Sequence, residues 1–156
     1  MTGWRIGNCG GPAHIITAME NIQSQSTSNA ASISQAAAEA ALIGDQSCIS
    51  PMVAAFKERN RFVTDALNAI PGLRCLLSEG AFYAFADVRE AIGQLRSRGV
   101  INESSDIALS EYLLEHGGVA VVPGSAFGSE GYIRLSFATA MSNLENALSR
   151  IAKVLA

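Results

Sequence analysis

Tyr132-Ile133-Arg134-Leu135-Ser136-Phe137 alternates apolar and polar side chains. Successive side chains of a strand point to opposite faces, so this alternation predicts a strand with one face on a core. Ile133, Leu135 and Phe137 share the apolar face. Arg134 shares the other with Tyr132 and Ser136. An arginine inside such a strand calls for an anionic partner, because an unpaired buried guanidinium is very costly. Its planar fork of donors matches a carboxylate bidentately. Two readings stand. Arg134 takes a carboxylate ligand, or it lies at a sheet edge and pairs with a surface Asp or Glu.

Working outward, Val119-Ala120-Val121-Val122 is an unbroken apolar run that stops at Pro123-Gly124. It reads as a strand buried on both faces. Residues 105–116 read as a helix closed by Gly117-Gly118. Further upstream, Gly80-Ala81-Phe82-Tyr83-Ala84-Phe85-Ala86-Asp87-Val88 reads as a strand rich in aromatics. Downstream, Ser142 and Glu145 have the spacing of a capping box. Leu144, Leu148, Ile151 and Leu155 then form the apolar stripe of a last helix. Strand, helix, strand, strand, helix over residues 75–156 predicts a small α+β layer.

The first half is different in character. Gly7-Asn8-Cys9-Gly10-Gly11-Pro12 is a turn, with Pro12 suited to the first position of a helix over 14–23. Residues 24–29 are polar and turn-prone. An alanine-rich helix follows over 32–42, ended by Gly44. Ser50-Pro51 has the form of an N-cap and first residue. Phe56, Val63, Leu67 and Ile70 then fall near helical spacing until Pro71-Gly72. That long amphipathic helix is expected to link two parts of a larger protein. The domain reading is residues 1–45, a linking helix over 46–72, and a small domain over 73–156.

Of the 156 residues, 49% are apolar, which is ample for a sizeable core. The net charge of -3 argues against nucleic acid as the main partner, since phosphate backbones are bound by clustered Lys and Arg. Lys57, Arg59 and Arg61 are interrupted by Glu58 and read as a solvated helix face. Cys9, Cys48 and Cys75 fall in no C-x-x-C pattern, and no apolar segment has the form of a leader. Reduced thiols and a cytoplasmic location are expected. No apolar run approaches the roughly 20 residues that cross a bilayer, so no membrane partner is expected. The mean hydropathy of +0.23 points to surface covered by a partner. His14 and His116 are isolated, so no metal site is expected.

Several segments together resemble one family. Tyr132-Ile133-Arg134-Leu135-Ser136-Phe137-Ala138 is similar to the strand of fold type I pyridoxal-phosphate aminotransferases, the aspartate aminotransferase family, whose arginine grips the substrate α-carboxylate. Pro123-Gly124-Ser125-Ala126-Phe127-Gly128 resembles the family's loop near the substrate. The strand at 80–85 and the stretch from Ser24 to Gln35 fit as well. Met1-Thr2-Gly3-Trp4-Arg5-Ile6-Gly7 resembles the segment just after the family's cofactor lysine. These matches follow the family's order and cover essentially the whole chain.

The resemblance implies an α/β protein with an α+β small domain, the C-terminal portion of the fold type I architecture, in which a mixed sheet packs with helices. It implies that residues 1–45 end the large cofactor domain. Arg134 is then the substrate-binding arginine and Arg5 the arginine on the cofactor phosphate. Ser28, with Asn29, sits where many members reach toward the partner subunit's cofactor, which implies a homodimer. In dicarboxylate-specific relatives an arginine stands four residues before that serine; here the position is Ser24. Recognition of a distal carboxylate is therefore expected from other residues.

In the family the Schiff-base lysine lies eight residues before the arginine matched by Arg5, a position upstream of Met1. The two lysines present are Lys57, among charged neighbours, and Lys153 in the last helix. No catalytic residue is expected within this chain. The leading reading is a C-terminal fragment of an aminotransferase that moves an amino group between an amino acid, aspartate first, and a 2-oxo acid. It is expected to be inactive alone, with cofactor binding by the fragment in doubt. Two alternatives are a non-catalytic carboxylate-binding or assembly module, and one half of a split aminotransferase.

Overall fold

The computed structural model describes residues 1–156, apart from the side chain of Thr2. The chain divides into two compact units, Met1–Ser50 and Pro51–Ala156.

The first unit holds helices α1 (Ala13–Ser26) and α2 (Ser32–Ile43). Pro12 precedes α1 at the N-cap position, one residue earlier than expected, and its carbonyl accepts the Ile15 and Ile16 amides. α1 also outruns its expected end. Ser24 and Ser26 turn their hydroxyls back onto the carbonyls of Asn21 and Gln23, at 2.9 and 3.4 Å, which satisfies them inside the helix. No residue of α1 is buried, and only Ser34 is buried in α2. Ser34 Oγ donates to the Trp4 carbonyl at 2.8 Å.

Helix α3 (Ile49–Asn68) starts at the last two residues of the first unit and, within the second, packs Val63, Thr64 and Leu67 inward. It begins before the expected Ser50-Pro51 start. Asp45 accepts the Ser47 amide, and Ile49 already donates to the Gln46 carbonyl. Pro51 therefore falls within the first turn, where a missing N–H has no helical partner to lose. After Pro71 the chain turns at Gly72, whose φ of +85° disfavours a side chain and where a Cβ would come within 2.9 Å of the Ala91 amide nitrogen.

Four strands follow: β1 (Arg74–Cys75), β2 (Tyr83–Asp87), β3 (Val122–Pro123) and β4 (Tyr132–Ser136). Their order is β1-β2-β4-β3 and each pairing is antiparallel. The α/β class with a small sheet against helices holds. The mixed pairing expected for the sheet is not found among the described residues, because the links 76–82 and 124–131 fold the chain back beside itself. α4 (Arg89–Ser97), α5 (Asp106–Gly117) and α6 (Met141–Leu155) complete the unit.

Two expectations near the sheet are corrected. The run 119–122 is no doubly buried strand. Only Val122 and Pro123 pair, at the sheet edge, and Ala120 is exposed. Proline lacks the N–H that a central strand needs, and so ends the pairing there. The capping box at Ser142 and Glu145 does not form. Ala140 is the N-cap, its carbonyl accepting the Asn143 and Leu144 amides, so Ser142 already lies inside α6. The last-helix stripe is as expected, with Leu144, Leu148, Ile151 and Leu155 all buried. It closes over Leu67, Leu109, Leu113, Ile133 and Phe137, the wholly buried centre of the core.

A candidate carboxylate seat on the sheet

β4 is an interior strand between β2 and β3, with Arg134 opposite Phe85 on one side and Val122 on the other. Ile133 is fully buried beneath it, as the alternation requires, and Arg134 is half-buried on the opposite face. The sheet-edge reading is therefore overturned. So is the surface acid. Among the described residues the ion pair present is Arg89 with Asp87, and none involves Arg134.

Two aromatic rings hold the guanidinium instead. Its central carbon lies 4.4 Å from the Tyr83 ring centroid and 4.2 Å from that of Phe127. Each such contact is worth roughly 0.5–1 kcal/mol, and more when desolvated. Both contacts are with ring π-systems, which take up none of the guanidinium's N–H donors as an acid would; two parallel N–H groups of that fork can meet one carboxylate. Sequence reading missed this clamp. Tyr83 is the diagonal neighbour of Arg134 across the β2–β4 pair, two residues from Phe85, so cross-strand geometry could have found it. Phe127 comes from a loop, and no strand periodicity reaches it.

The loop is a short 3-10 turn, Gly124–Phe127, closed by Gly128 at φ 74°. Gly124 is forced. A Cβ there would run into the carbonyl oxygen of Ser129 and the Cβ of Tyr132. Phe127 itself is half-exposed, so the backbone of the turn sets where its ring lies.

Arg5 and Ser28 belong to the first unit and Arg134 to the second. Both are exposed, and both have left-handed backbone, at φ 51° and 66°. Among the described non-glycine residues only Ala81 shares that property. Such strain costs on the order of 1 kcal/mol and gathers at binding sites. Ser28 follows the end of α1, where its amide donates to the Gln23 carbonyl at 2.9 Å. Asn29 beside it and the glycine-rich turn at 7–11 are exposed as well. Among the described residues no three His, Cys, Asp or Glu side chains gather as a metal site. No helix of the described residues is long and apolar enough to cross a membrane.

A family model described as aminotransferase class I and II matches residues 1–151. The chain belongs to the class I and II aminotransferase family. It is 68% identical over 155 residues to an aspartate/prephenate aminotransferase of Nitrosomonas europaea, covering 99% of this chain and 39% of that protein. The crystal structure of the aspartate aminotransferase from Rhizobium meliloti is similar at 42% identity and a TM-score of 0.77, over 99% of this chain and 38% of that one. An aspartate aminotransferase from Thermus thermophilus, solved with maleate, is similar at 37% identity and a TM-score of 0.78, with the same coverage. The chain spans about two-fifths of the length of these relatives.

Enzymes of this family depend on pyridoxal phosphate, which offers a protein two handles. A phosphate suits a guanidinium, and Arg5 is of that type. An aldehyde needs an amine that is uncharged near neutral pH, which takes an apolar or cationic pocket. Lys57 on α3 and Lys153 on α6 are both exposed. Neither fits. The described residues make no complete seat for the cofactor.

Proposed function

We propose that this chain carries the α-carboxylate grip of an aminotransferase that exchanges an amino group between an amino acid, aspartate first, and a 2-oxo acid. The observation that carries the proposal is Arg134, held against the rings of Tyr83 and Phe127 with no acid of the chain paired to it among the described residues. Aspartate is favoured because the matched relatives bear aspartate in their names. Arg134 docks the carboxylate that every amino-acid and 2-oxo-acid substrate shares. Its held position also orients the bond that must react, since holding a reactant in place removes entropy from the barrier. The distal carboxylate of aspartate is read by residues other than Ser24.

Arg5 is assigned to the cofactor phosphate, and Ser28 to contact with the cofactor of a partner subunit in a homodimer. In this reading residues 1–45 close the large domain, 46–72 link, and 73–156 form the small domain. The setting is the cytoplasm. The 156-residue chain alone is inactive, because both its lysines are exposed and neither lies in an apolar pocket that would free its amine.

Titration of the chain with maleate, followed at the Arg134 side-chain N–H by NMR, tests the grip. Saturable shifts are expected, weakened at least about tenfold in Arg134→Lys, which keeps the charge and loses the fork. Equal affinity in Arg134→Lys and wild type would sink the assignment.

A further inference from the structure

Asp106 is the most deeply buried carboxylate among the described residues, 2% exposed in the first turn of α5. The carboxylate is not needed to cap that helix. Ser105 is the N-cap, its hydroxyl accepting the Ala108 amide at 3.1 Å. Asp106 instead reaches 19 positions along the chain, where its Oδ2 accepts the Ser125 amide at 2.7 Å. Ser125 lies in the turn that carries Phe127.

Other bonds in that turn are local. Gly128 donates to Ser125 and Ser129 to Gly124, each at 3.0 Å. They fix its shape, and the close packing of Gly124 on Tyr132 holds its first residue. Pairing of Pro123 with Ile133 holds only the entrance. Phe127 is 49% exposed and gains little anchorage from burial. The tie from Asp106 is the side-chain hydrogen bond that holds the turn from outside it among the described residues. A carboxylate acceptor makes that tie roughly twice as strong as a neutral one.

We infer that Asp106 is the positioning residue of the carboxylate seat: through Ser125 it holds the 124–127 turn so that the Phe127 ring stays against the Arg134 guanidinium. It touches neither the guanidinium nor a ligand. This rests on the reading that Arg134 binds a carboxylate. A loosened turn lets the ring withdraw, and Arg134 then swings about its remaining contact with Tyr83. Misplacement by about 1 Å is enough to lower binding and orientation strongly.

The test uses the full 156-residue chain, labelled for NMR. One readout is the ring-current shift of the Arg134 side-chain N–H without ligand. The other is maleate affinity. Asp106→Ala is expected to remove the part of the shift due to Phe127 and to weaken maleate on the order of tenfold. Asp106→Asn keeps an acceptor oxygen and is expected to restore the shift, with affinity within about threefold of wild type. In a Phe127→Leu background Asp106→Ala is expected to add no further loss, since residues acting through one another are not additive. Should the alanine variant fail to fold, Asp106→Ser removes the reach to Ser125 while leaving a polar atom in place. An unchanged Arg134 shift in a folded Asp106→Ala or Asp106→Ser chain overturns the inference. So does a full additional loss in the Phe127→Leu background. Absence of maleate binding to the wild type overturns the carboxylate reading instead, and the ring-current comparison still decides whether Asp106 places Phe127.

Discussion

The two compact units of this chain are built on opposite terms. In Pro51–Ala156 every layer meets another, and all of the fully buried apolar side chains, from Val63 to Leu155, belong to it. In Met1–Ser50 the one buried side chain among the described residues is a serine, while Ile15, Met19, Ile22, Ile33, Leu42 and Ile43 are exposed. Composition does not separate them, since both are rich in apolar residues. What separates them is whether the apolar faces find each other within the chain. Burial supplies most of the free energy that offsets chain entropy, so the second unit can hold a side chain such as Arg134 in a defined place on its sheet. Arg5 and Ser28 stand on much thinner support.

Thiol labelling gives the widest contrast. Cys9 and Cys48 are exposed in the first unit, and Cys75 is buried in the second, its thiol pushed up in pKa chiefly by that burial. Thiolate is the reactive form. Alkylation of Cys9 and Cys48 is expected to outrun that of Cys75 by roughly 10³-fold or more, the latter waiting on unfolding. Similar rates at all three would erase the distinction between the units.

Truncation is the next largest effect. Leu113→Ala empties a wholly buried site and is expected to cost about 2–5 kcal/mol in denaturant unfolding. Ile22→Ala, at a residue 72% exposed, is expected to change stability by less than about 0.5 kcal/mol. A large loss from Ile22→Ala would mean that α1 has a core after all.

The smallest effect is electrostatic. Asp87 is held below the usual carboxylate range, first by its hydrogen bond with Arg89. Because the folded form has the lower pKa, the pair stabilises above the unfolded value of about 3.9 and loses its effect as pH falls through the lowered folded one. Arg89 is largely exposed, so the contribution is small and screened by salt. Asp87→Asn is expected to lower the unfolding midpoint only slightly at pH 7, by at most about 1 kcal/mol in stability, and to flatten its fall below about pH 4. A loss at pH 7 equal to that of a core truncation would contradict this.

The sequence was most legible where one periodicity ran unopposed. The stripe Leu144, Leu148, Ile151 and Leu155 and the alternation around Arg134 are both found as read. Short or mixed segments were hidden. β1 is two residues long, and α4 buries only Ala91, Ile92 and Leu95 among arginines and a glycine, so neither was expected. The run 119–122 misled because apolarity alone does not tell a central strand from an edge. At the site, Arg134 was legible from its own strand. Its aromatic clamp and the tie from Asp106 were not, because both join residues far apart in the chain.

The central claim is that this chain supplies a carboxylate grip and no lysine fit for the cofactor's aldehyde. Incubation with pyridoxal phosphate, borohydride reduction and peptide mapping tests it most directly. Only sparse labelling is expected, scattered over Lys57, Lys153 and the N-terminal amine, with no saturation. Saturable one-to-one labelling of either lysine would contradict it.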